Sequence, residues 1–283
     1  MLTVNTLFEL QTAIKVWRLA RESIAFVPTM GNLHAGHLQL VNVAKTKADR
    51  VIVSIFVNPT QFGINEDFDS YPRTEQEDKK SLKTAGADLL FLPPNTEIYT
   101  PDTQTIVSVT GISNRYCGAS RPGHFDGVAT IVCKLFNMVQ PTIAVFGLKD
   151  FQQLTVIRIM VRDLNIPVQI IGVETVREPS GLAMSSRNGY LTAEEKAIAP
   201  LLYQSLINAR DTILAKYLPY SKIEQQALGF LQQAGFQPDY FSICRRSDLD
   251  NARQEDTDLV LLTAARLGKT RLIDNICFRK SLE

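Results

Sequence analysis

The sequence predicts an α/β fold, in which a Rossmann-like parallel sheet carries helices on both faces and is followed by a smaller carboxyl-terminal α+β domain. From Ser23 onward, short apolar runs rich in β-branched residues alternate with segments of helical periodicity. That alternation is typical of βαβ units and a parallel sheet. After Thr175 the alternation stops, and two helical segments precede three short apolar runs. We therefore expect one domain over residues 1–175 and a second over residues 176–283.

The elements of the first domain follow from apolar continuity and periodicity. Residues 128–139 have apolar side chains at i, i+3, i+4 and i+7, which predicts a helix with one buried face. Gly86 ends another predicted helix, since glycine readily adopts the left-handed conformation of a helix end. The predicted strands are 24–27, 51–57, 88–92, 142–146 and 168–173, and the other predicted helices are 37–49, 74–85 and 150–164.

The second domain begins with a polar segment, residues 177–189, whose prolines and glycines predict a loop or hinge. Thr192 and Glu195 form a capping-box pattern, so we expect one long helix from there to about Leu214. A second helix is predicted over 220–234, and short strands over 240–244, 259–264 and 270–276.

The composition limits the classes of partner. Thirty basic and twenty-nine acidic side chains give a formal charge of +1, so we expect neither nucleic acid nor a membrane surface as a partner. The apolar stretches are far shorter than the roughly 20 residues of a membrane helix. Residues 1–20 lack the apolar core of a signal peptide, and the four cysteines form no C-x-x-C pair. We therefore expect a cytoplasmic chain with reduced thiols.

The strongest functional signal is the segment 28–37, Pro-Thr-Met-Gly-Asn-Leu-His-Ala-Gly-His, between the first sheet strand and its helix. Ligands of open α/β sheets bind beyond the carboxyl ends of strands, and a helix amino terminus attracts phosphate. His34 and His37 would share one face there, and Gly36 permits close approach to the backbone, so both imidazoles could donate to one phosphate. Metal ligation and a structural helix start are the alternatives, although His124 alone adds little to a zinc set.

A second signal is the segment 181–188, Gly-Leu-Ala-Met-Ser-Ser-Arg-Asn, in the predicted hinge. Hydroxyl groups and a guanidinium on a loop suit the oxygens of a polyphosphate. Taken alone, the same composition is equally typical of an interdomain linker.

Six blocks in chain order carry a family resemblance. They are 28–37, 56–62 (Phe-Val-Asn-Pro-Thr-Gln-Phe), 71–74 (Tyr-Pro-Arg-Thr), 121–125 (Arg-Pro-Gly-His-Phe), 146–154 (Phe-Gly-Leu-Lys-Asp-Phe-Gln-Gln-Leu) and 184–188 (Met-Ser-Ser-Arg-Asn). The first and last resemble the HxGH and KMSKS-like signatures of the nucleotidyltransferase superfamily, and the whole set resembles the pantothenate synthetase family. The resemblance implies an ATP- and Mg2+-dependent ligase that joins pantoate to β-alanine through a pantoyl-adenylate, typically as a homodimer.

The resemblance also implies roles for particular residues. It makes the first domain the nucleotide- and pantoate-binding domain and assigns the Met-Ser-Ser-Arg loop to the second. The implied catalytic residues are His34, His37, Lys149 and Arg187. The implied ATP-binding residues are Met30, Gly36, His37, Gly147, Lys149, Asp150, Val176, Met184, Ser185, Ser186 and Arg187. The implied pantoate-binding residues are Gln61, Gln153, Met30 and Val128, with Arg121 steadying the adjoining segment.

The metal ligand stays open at this point. The family's acidic pair after Tyr-Pro-Arg-Thr is present here as Glu77 and Asp78 rather than as two aspartates. Either carboxylate could hold Mg2+ together with phosphates and waters, or both could be solvated helix charges.

Two other classes of function are compatible with parts of the pattern. One is a nucleotidyltransferase with a phosphate-bearing acceptor, although the glutamines Gln61 and Gln153 favour a carboxylate or hydroxyl acceptor. The other is a regulatory module that holds ATP without turnover. A nicotinamide dehydrogenase is disfavoured because no G-x-G-x-x-G follows the first sheet strand.

Overall fold

The apolar runs of the first half of the chain become neighbouring strands of one sheet. A computed structural model describes residues 1–64, 66–215 and 218–281, and within these residues six parallel strands form this sheet in the order β1-β4-β3-β2-β5-β6. The strands are β1 Leu2–Val4, β2 Ile24–Thr29, β3 Arg50–Ile55, β4 Leu89–Phe91, β5 Ile143–Gly147 and β6 Gln169–Val173.

Helices cover both faces of this sheet. The α-helices of this part of the chain are α1 Leu7–Leu19, α2 Ala35–Lys45, α3 Glu75–Ala85, α4 Asn95–Ile98, α5 Cys117–Ser120, α6 His124–Val139 and α7 Phe151–Asp163. Neighbouring side chains of a strand point to opposite faces, and β2 shows the result. Val27 packs with Leu40 of α2 and other apolar residues on one face, whereas the Phe26 ring meets the Phe136 ring of α6 at 6.5 Å on the other. The predicted fold class is confirmed.

Strand β1 and the start of helix α2 differ from the predictions. The sequence predicted no strand before residue 24, yet β1 pairs with β4, with Leu2 opposite Leu89. A strand of three residues is too short to produce a recognisable alternation. Helix α2 begins at Ala35 rather than at residue 37, because His34 caps it.

The second part of the chain forms a three-stranded antiparallel sheet and three α-helices within the described residues. Its strands are β7 Gln237–Arg245, β8 Asp258–Leu267 and β9 Thr270–Arg279, and its helices are α8 Ala193–Ile198, α9 Leu201–Leu214 and α10 Tyr220–Gln233. Leu206, Leu231 and Leu261 are fully buried in a core that draws on α9, α10 and β8. This is the α+β arrangement that the sequence predicted.

The single long helix expected from Thr192 to Leu214 was wrong. The capping box of Thr192 and Glu195 is present, but α8 ends at Ile198 and α9 begins after Pro200. Proline has no backbone N–H to donate, so it ends the first helix and can stand at the start of the next.

Backbone contacts divide the chain into two units. The first comprises Met1–Leu148 and Gln153–Glu174, and the second comprises Lys149–Gln152 and Thr175–Glu283. Residues 149–152, which fall in the first domain that the sequence predicts, group with the second unit. None of the helices in the described residues combines the length and the apolar character that a bilayer crossing needs.

Candidate active site

Three predicted site segments of the first unit lie at the carboxyl edge of its sheet. The turn before His34 follows β2, Gln61 follows β3, and Gly147 is the last residue of β5. β2 pairs with β3 on one side and with β5 on the other, so the strand order reverses direction at β2. Ligands of open parallel sheets bind in the crevice that such a reversal creates.

His34 and His37 cap the amino terminus of α2 through their Nδ1 atoms. Nδ1 of His34 accepts from the N–H of Gly36 at 3.1 Å, and Nδ1 of His37 accepts from the N–H of His34 at 3.3 Å. The two ring centroids are 4.1 Å apart. A neutral imidazole that accepts at one nitrogen carries its proton on the other, so both rings have N–H donors at Nε2. The capping role and a phosphate-binding role are therefore compatible.

Asp78 holds the turn that precedes these histidines. The residue is only 2% exposed, and its carboxylate accepts from the backbone N–H groups of Asn32 and Leu33, both at 2.8 Å. The Thr74 hydroxyl also donates to it, at 3.2 Å. Gly31 lies in the same turn with φ of +83°, where a side chain would meet Ile55. Asp78 is thus a buried anchor and not a solvated helix charge.

The Gln61 side chain is buried and oriented by its neighbours. Asn58 donates from Nδ2 to Oε1 of Gln61 at 3.2 Å and to the carbonyl of Gly127 at 3.1 Å. Nε2 of Gln61 lies 2.9 Å from the sulfur of Met30. The hydroxyl of Tyr99 donates to Oδ1 of Asn58 at 2.8 Å, so the orientation of the asparagine amide is fixed as well.

The start of α6 packs closely on this segment. A Cβ atom at Gly127 would stand 2.4 Å from the carbonyl oxygen of Thr60, which means that only glycine allows the approach. Val128, the next residue, is 2% exposed. Gln153 stands in the first turn of α7 and is half-buried.

The remaining predicted residues belong to the second unit. Val176 and Met184 are joined by a hydrogen bond from the N–H of Met184 to the carbonyl of Val176, at 3.0 Å. Ser185 caps the short 3-10 helix Ser186–Tyr190 and accepts from the N–H of Arg187 at 3.2 Å. Nζ of Lys149 is 3.9 Å from a carboxylate oxygen of Asp150, whose side chain is 47% exposed, so this ion pair is weak.

Comparison with known proteins decides the family. The sequence profile described as Pantoate-beta-alanine ligase matches residues 2–277. The pantothenate synthetase of Methylococcus capsulatus is 57% identical over 275 residues, 96% of each chain, and that of Shewanella sp. strain ANA-3 is 55% identical over 98% of this chain and 99% of its own. The chain belongs to the pantoate–β-alanine ligase family.

Solved structures of other pantoate–β-alanine ligases have the same fold. The pantothenate synthetase of Thermus thermophilus superposes with a TM-score of 0.92 at 44% identity, covering 98% of this chain and 99% of its own. The enzyme of Francisella tularensis, complexed with β-γ ATP and β-alanine, gives 0.83 at 33% identity over 98% and 97% of the two chains.

The structure also shows contacts around Gln61 that the sequence did not predict. Arg121 donates to both carboxylate oxygens of Glu66, at 2.6 and 2.5 Å, and to the carbonyl of Gln61 at 3.3 Å. Nδ1 of His124 lies 2.8 Å from that same carbonyl. Glu66 had not been singled out, because its partner is 55 residues away and no local pattern marks it.

The acid–base behaviour of Glu66 follows from this contact. Burial alone would raise the pKa of the carboxyl, but the hydrogen bonds and the positive charge of Arg121 outweigh burial and lower it below its ordinary value. A group whose pKa is lowered by folding stabilises the folded state above its ordinary pKa, and the contribution is lost as the pH falls through the lower value.

We predict that the Glu66→Gln variant differs most from the wild type near neutral pH. The difference in the free energy of unfolding should shrink as the pH falls below about 4, because the wild-type carboxyl then becomes protonated. Urea denaturation at a series of pH values measures it, with Glu255→Gln, which removes an exposed carboxylate, as the control. A difference that stays constant down to pH values near 3 would show that the Arg121 contact does not depend on the charge of Glu66.

Proposed function

We propose that this chain catalyses the ATP-dependent condensation of (R)-pantoate with β-alanine to pantothenate, AMP and pyrophosphate, a step in coenzyme A precursor synthesis. The observation that carries the proposal is the pair of imidazoles capping α2, each with its N–H at Nε2. They stand at the edge of the sheet where the oriented Gln61 amide also lies. Family membership supports the same reaction.

In the first half-reaction, the carboxylate of pantoate attacks the α-phosphorus of ATP and pyrophosphate leaves. His34 and His37 donate from Nε2 to the α-phosphate oxygens, where negative charge increases in the transition state. Lys149 and Arg187 neutralise the departing pyrophosphate. The residues act by position and charge, since the phosphoryl chemistry needs no covalent participation by the protein.

Pantoate is held by amides and by apolar side chains. Gln61 and Gln153 are suited to its carboxylate and hydroxyl groups because an amide both donates and accepts. Oε1 of Gln61 already accepts a hydrogen bond from Asn58, and Nε2 faces Met30. Nε2 is therefore the atom of this amide that donates to the substrate. Met30 and Val128 supply the apolar contact for the gem-dimethyl group of pantoate.

The other proposed residues bind the nucleotide. Gly36 and Gly147 allow the nucleotide to approach the backbone, and Asp150 contacts the ribose. The hydrogen bond between Met184 and Val176 sets these two residues side by side, as a pair that contacts adenine requires. Ser185 and Ser186 donate to the phosphates.

In the second half-reaction, the neutral amine of β-alanine attacks the carbonyl carbon of pantoyl-adenylate. The bond to the phosphate breaks, AMP leaves, and the amine loses a proton as the amide forms. No enzyme-bound intermediate is required, and the proposal therefore assigns no nucleophile to the chain.

Mg2+ enters the proposal as the counter-ion of ATP. Within the described residues, no group of three or more His, Cys, Asp or Glu side chains is placed to hold a metal. Magnesium bound to a nucleotide needs only one or two carboxylates besides phosphates and waters. Asp78 already accepts three hydrogen bonds, whereas Glu77 beside it is exposed, so Glu77 is the residue that would hold the ion. When bound, Mg2+ neutralises phosphate charge.

We also propose that the enzyme is a cytoplasmic homodimer, as the family resemblance implies. All four cysteines lie in the described ranges and form no disulfide there, which suits a reducing compartment. Phe8 and Leu19 of α1 are 79% and 78% exposed and offer apolar surface that a second copy could cover. Sedimentation equilibrium tests the dimer, and a monomer at micromolar concentration would contradict it.

The direct test of the function is exchange of labelled pyrophosphate into ATP, with Mg2+ present and β-alanine absent. We predict exchange that requires pantoate, because reversal of adenylate formation needs the bound acid. Exchange that requires a different acid would contradict the substrate, and ATP binding without any exchange would favour a regulatory ATP-binding module.

We predict that His34→Asn lowers pantoate-dependent exchange by about 100-fold or more, the effect of removing one donor from a preorganised transition-state site. Asparagine is a favourable helix N-cap, so the variant should keep the start of α2 and unfold near the wild-type temperature. His34→Ala removes the cap as well and should also cost about 1 kcal/mol of stability. Near-normal exchange in His34→Asn would exclude the imidazole from the phosphate site.

A further inference from the structure

An ion pair of the second unit lies behind its proposed phosphate-binding residues. Arg177 donates to both carboxylate oxygens of Asp274, from Nη1 at 2.6 Å and from Nη2 at 2.9 Å. The Asp274 side chain is only 3% exposed, and the Arg177 side chain 19%. The guanidinium also lies 3.4 Å from the ring centroid of Tyr203, which fixes its plane from a second direction.

Arg177 fixes both sides of the loop that leads to the Met-Ser-Ser-Arg segment. Its Nη1 donates to the carbonyl of Gly181 at 3.1 Å, across the turn. A β-bridge joins Arg177 to Ala183, and the N–H of Glu178 donates to the carbonyl of Leu182 at 2.8 Å. Met184 and the residues after it therefore follow a hairpin, and Arg177 contacts both the base and the tip of that hairpin.

The same strand of the sheet also holds the segment of Lys149. Asn275, next to Asp274 on β9, donates from Nδ2 to the carbonyl oxygen of Lys149 at 2.8 Å. Nη2 of Arg177 lies 3.4 Å from the carbonyl of Asn275, and the backbone N–H of Asn275 donates to the Asp274 carboxylate at 2.8 Å. Two segments that are distant along the chain thus meet at two adjacent residues of one strand.

We propose that Arg177 and Asp274 are positioning residues for ATP: their buried ion pair sets the spacing between Lys149 and the Ser185–Arg187 segment, and so the fit of both to the triphosphate. The inference rests on the proposed function, which assigns phosphate contacts to Lys149, Ser185, Ser186 and Arg187. The proposed function places neither Arg177 nor Asp274 in contact with a substrate. Misplacement of catalytic groups by about 1 Å can cost about 100-fold in rate, so such a pair can control turnover without contacting the nucleotide.

The decisive variant is the double substitution Arg177→Gln with Asp274→Asn. It removes both charges together, so no unpaired charge stays buried, and its amides can still form hydrogen bonds with each other. The shorter glutamine cannot reproduce the contacts to Gly181 and Asn275. The matched control is Arg271→Gln with Asp239→Asn, which neutralises another ion pair of the same sheet, joined at 2.7 Å and distant in sequence from both phosphate segments.

The measurement is the kinetics of pantoate-dependent pyrophosphate exchange, combined with the thermal unfolding temperature. We expect the double variant to unfold near the wild-type temperature while its kcat/KM for ATP falls about 100-fold, with a raised KM for ATP. Its KM for pantoate should stay within about twofold, because Gln61 and Gln153 belong to the first unit. A purely structural role would lower the amount of active enzyme and leave the KM for ATP unchanged.

Asn275→Ala provides a second variant that keeps the ion pair and cuts only the link to Lys149. Its KM for ATP should rise about three- to tenfold, the equivalent of one lost hydrogen bond. An unchanged KM for ATP in Asn275→Ala and in the double variant would overturn the inference, and so would an equal rise in the control pair. A wild-type chain without exchange would instead contradict the proposed function itself and remove the basis of the inference with it.

Discussion

The proposed phosphate site depends on one buried carboxylate. Asp78 accepts two backbone N–H groups from the turn at Asn32 and Leu33, and that turn sets where α2 begins. Burying a carboxylate is costly unless donors satisfy it, and here the backbone of the turn and the Thr74 hydroxyl provide them. The helix start in turn decides which nitrogen of each histidine keeps its proton. The direction of the two Nε2 donors is therefore a consequence of a contact between α3 and the turn after β2.

The order of the strands makes this contact useful. Because β2 lies between β3 and β5, the segments that follow these three strands emerge at one edge of the sheet. The histidines, Gln61 and Gly147 come from different parts of the chain and share that edge only through the parallel arrangement. Asn58 and Gly127 then fix the glutamine, one by hydrogen bonds and the other by permitting close approach of α6. The rigid sheet thus positions groups on its loops, as in other open α/β folds.

The sequence predicted those parts of the molecule that have local signatures. Apolar periodicity located the sheet strands from residue 24 onward, and Gly86 and Thr192 marked a helix end and a helix start correctly. It also singled out His34, His37 and Gln61, because these residues lie in short motif blocks that can be recognised from the sequence alone. It missed the break at Pro200, where a good helical pattern continues on both sides of the proline.

The contacts that orient the site could not be predicted in this way. Asp78 is 46 residues from Asn32, Glu66 is 55 from Arg121, and Arg177 is 97 from Asp274. In each pair, neither the acidic residue nor its hydrogen-bond donor stands in a recognisable local sequence motif. Only the folded chain therefore shows that the two residues meet. From the sequence, a structural role for His34 at the helix start was an alternative to phosphate binding. The structure makes the two roles compatible, because Nδ1 caps the helix and Nε2 can donate to phosphate.

The most direct test of this account is the rate of pantoate-dependent pyrophosphate exchange by Asp78→Asn at increasing Mg2+ concentration. Glu75→Gln, an exposed carboxylate in the same first turn of α3, is the matched control. The account predicts a loss of about 100-fold in Asp78→Asn that added Mg2+ does not restore, because the turn and the histidines are displaced. Exchange equal to that of Glu75→Gln, or recovery at high Mg2+, would contradict it and assign Asp78 no positioning role.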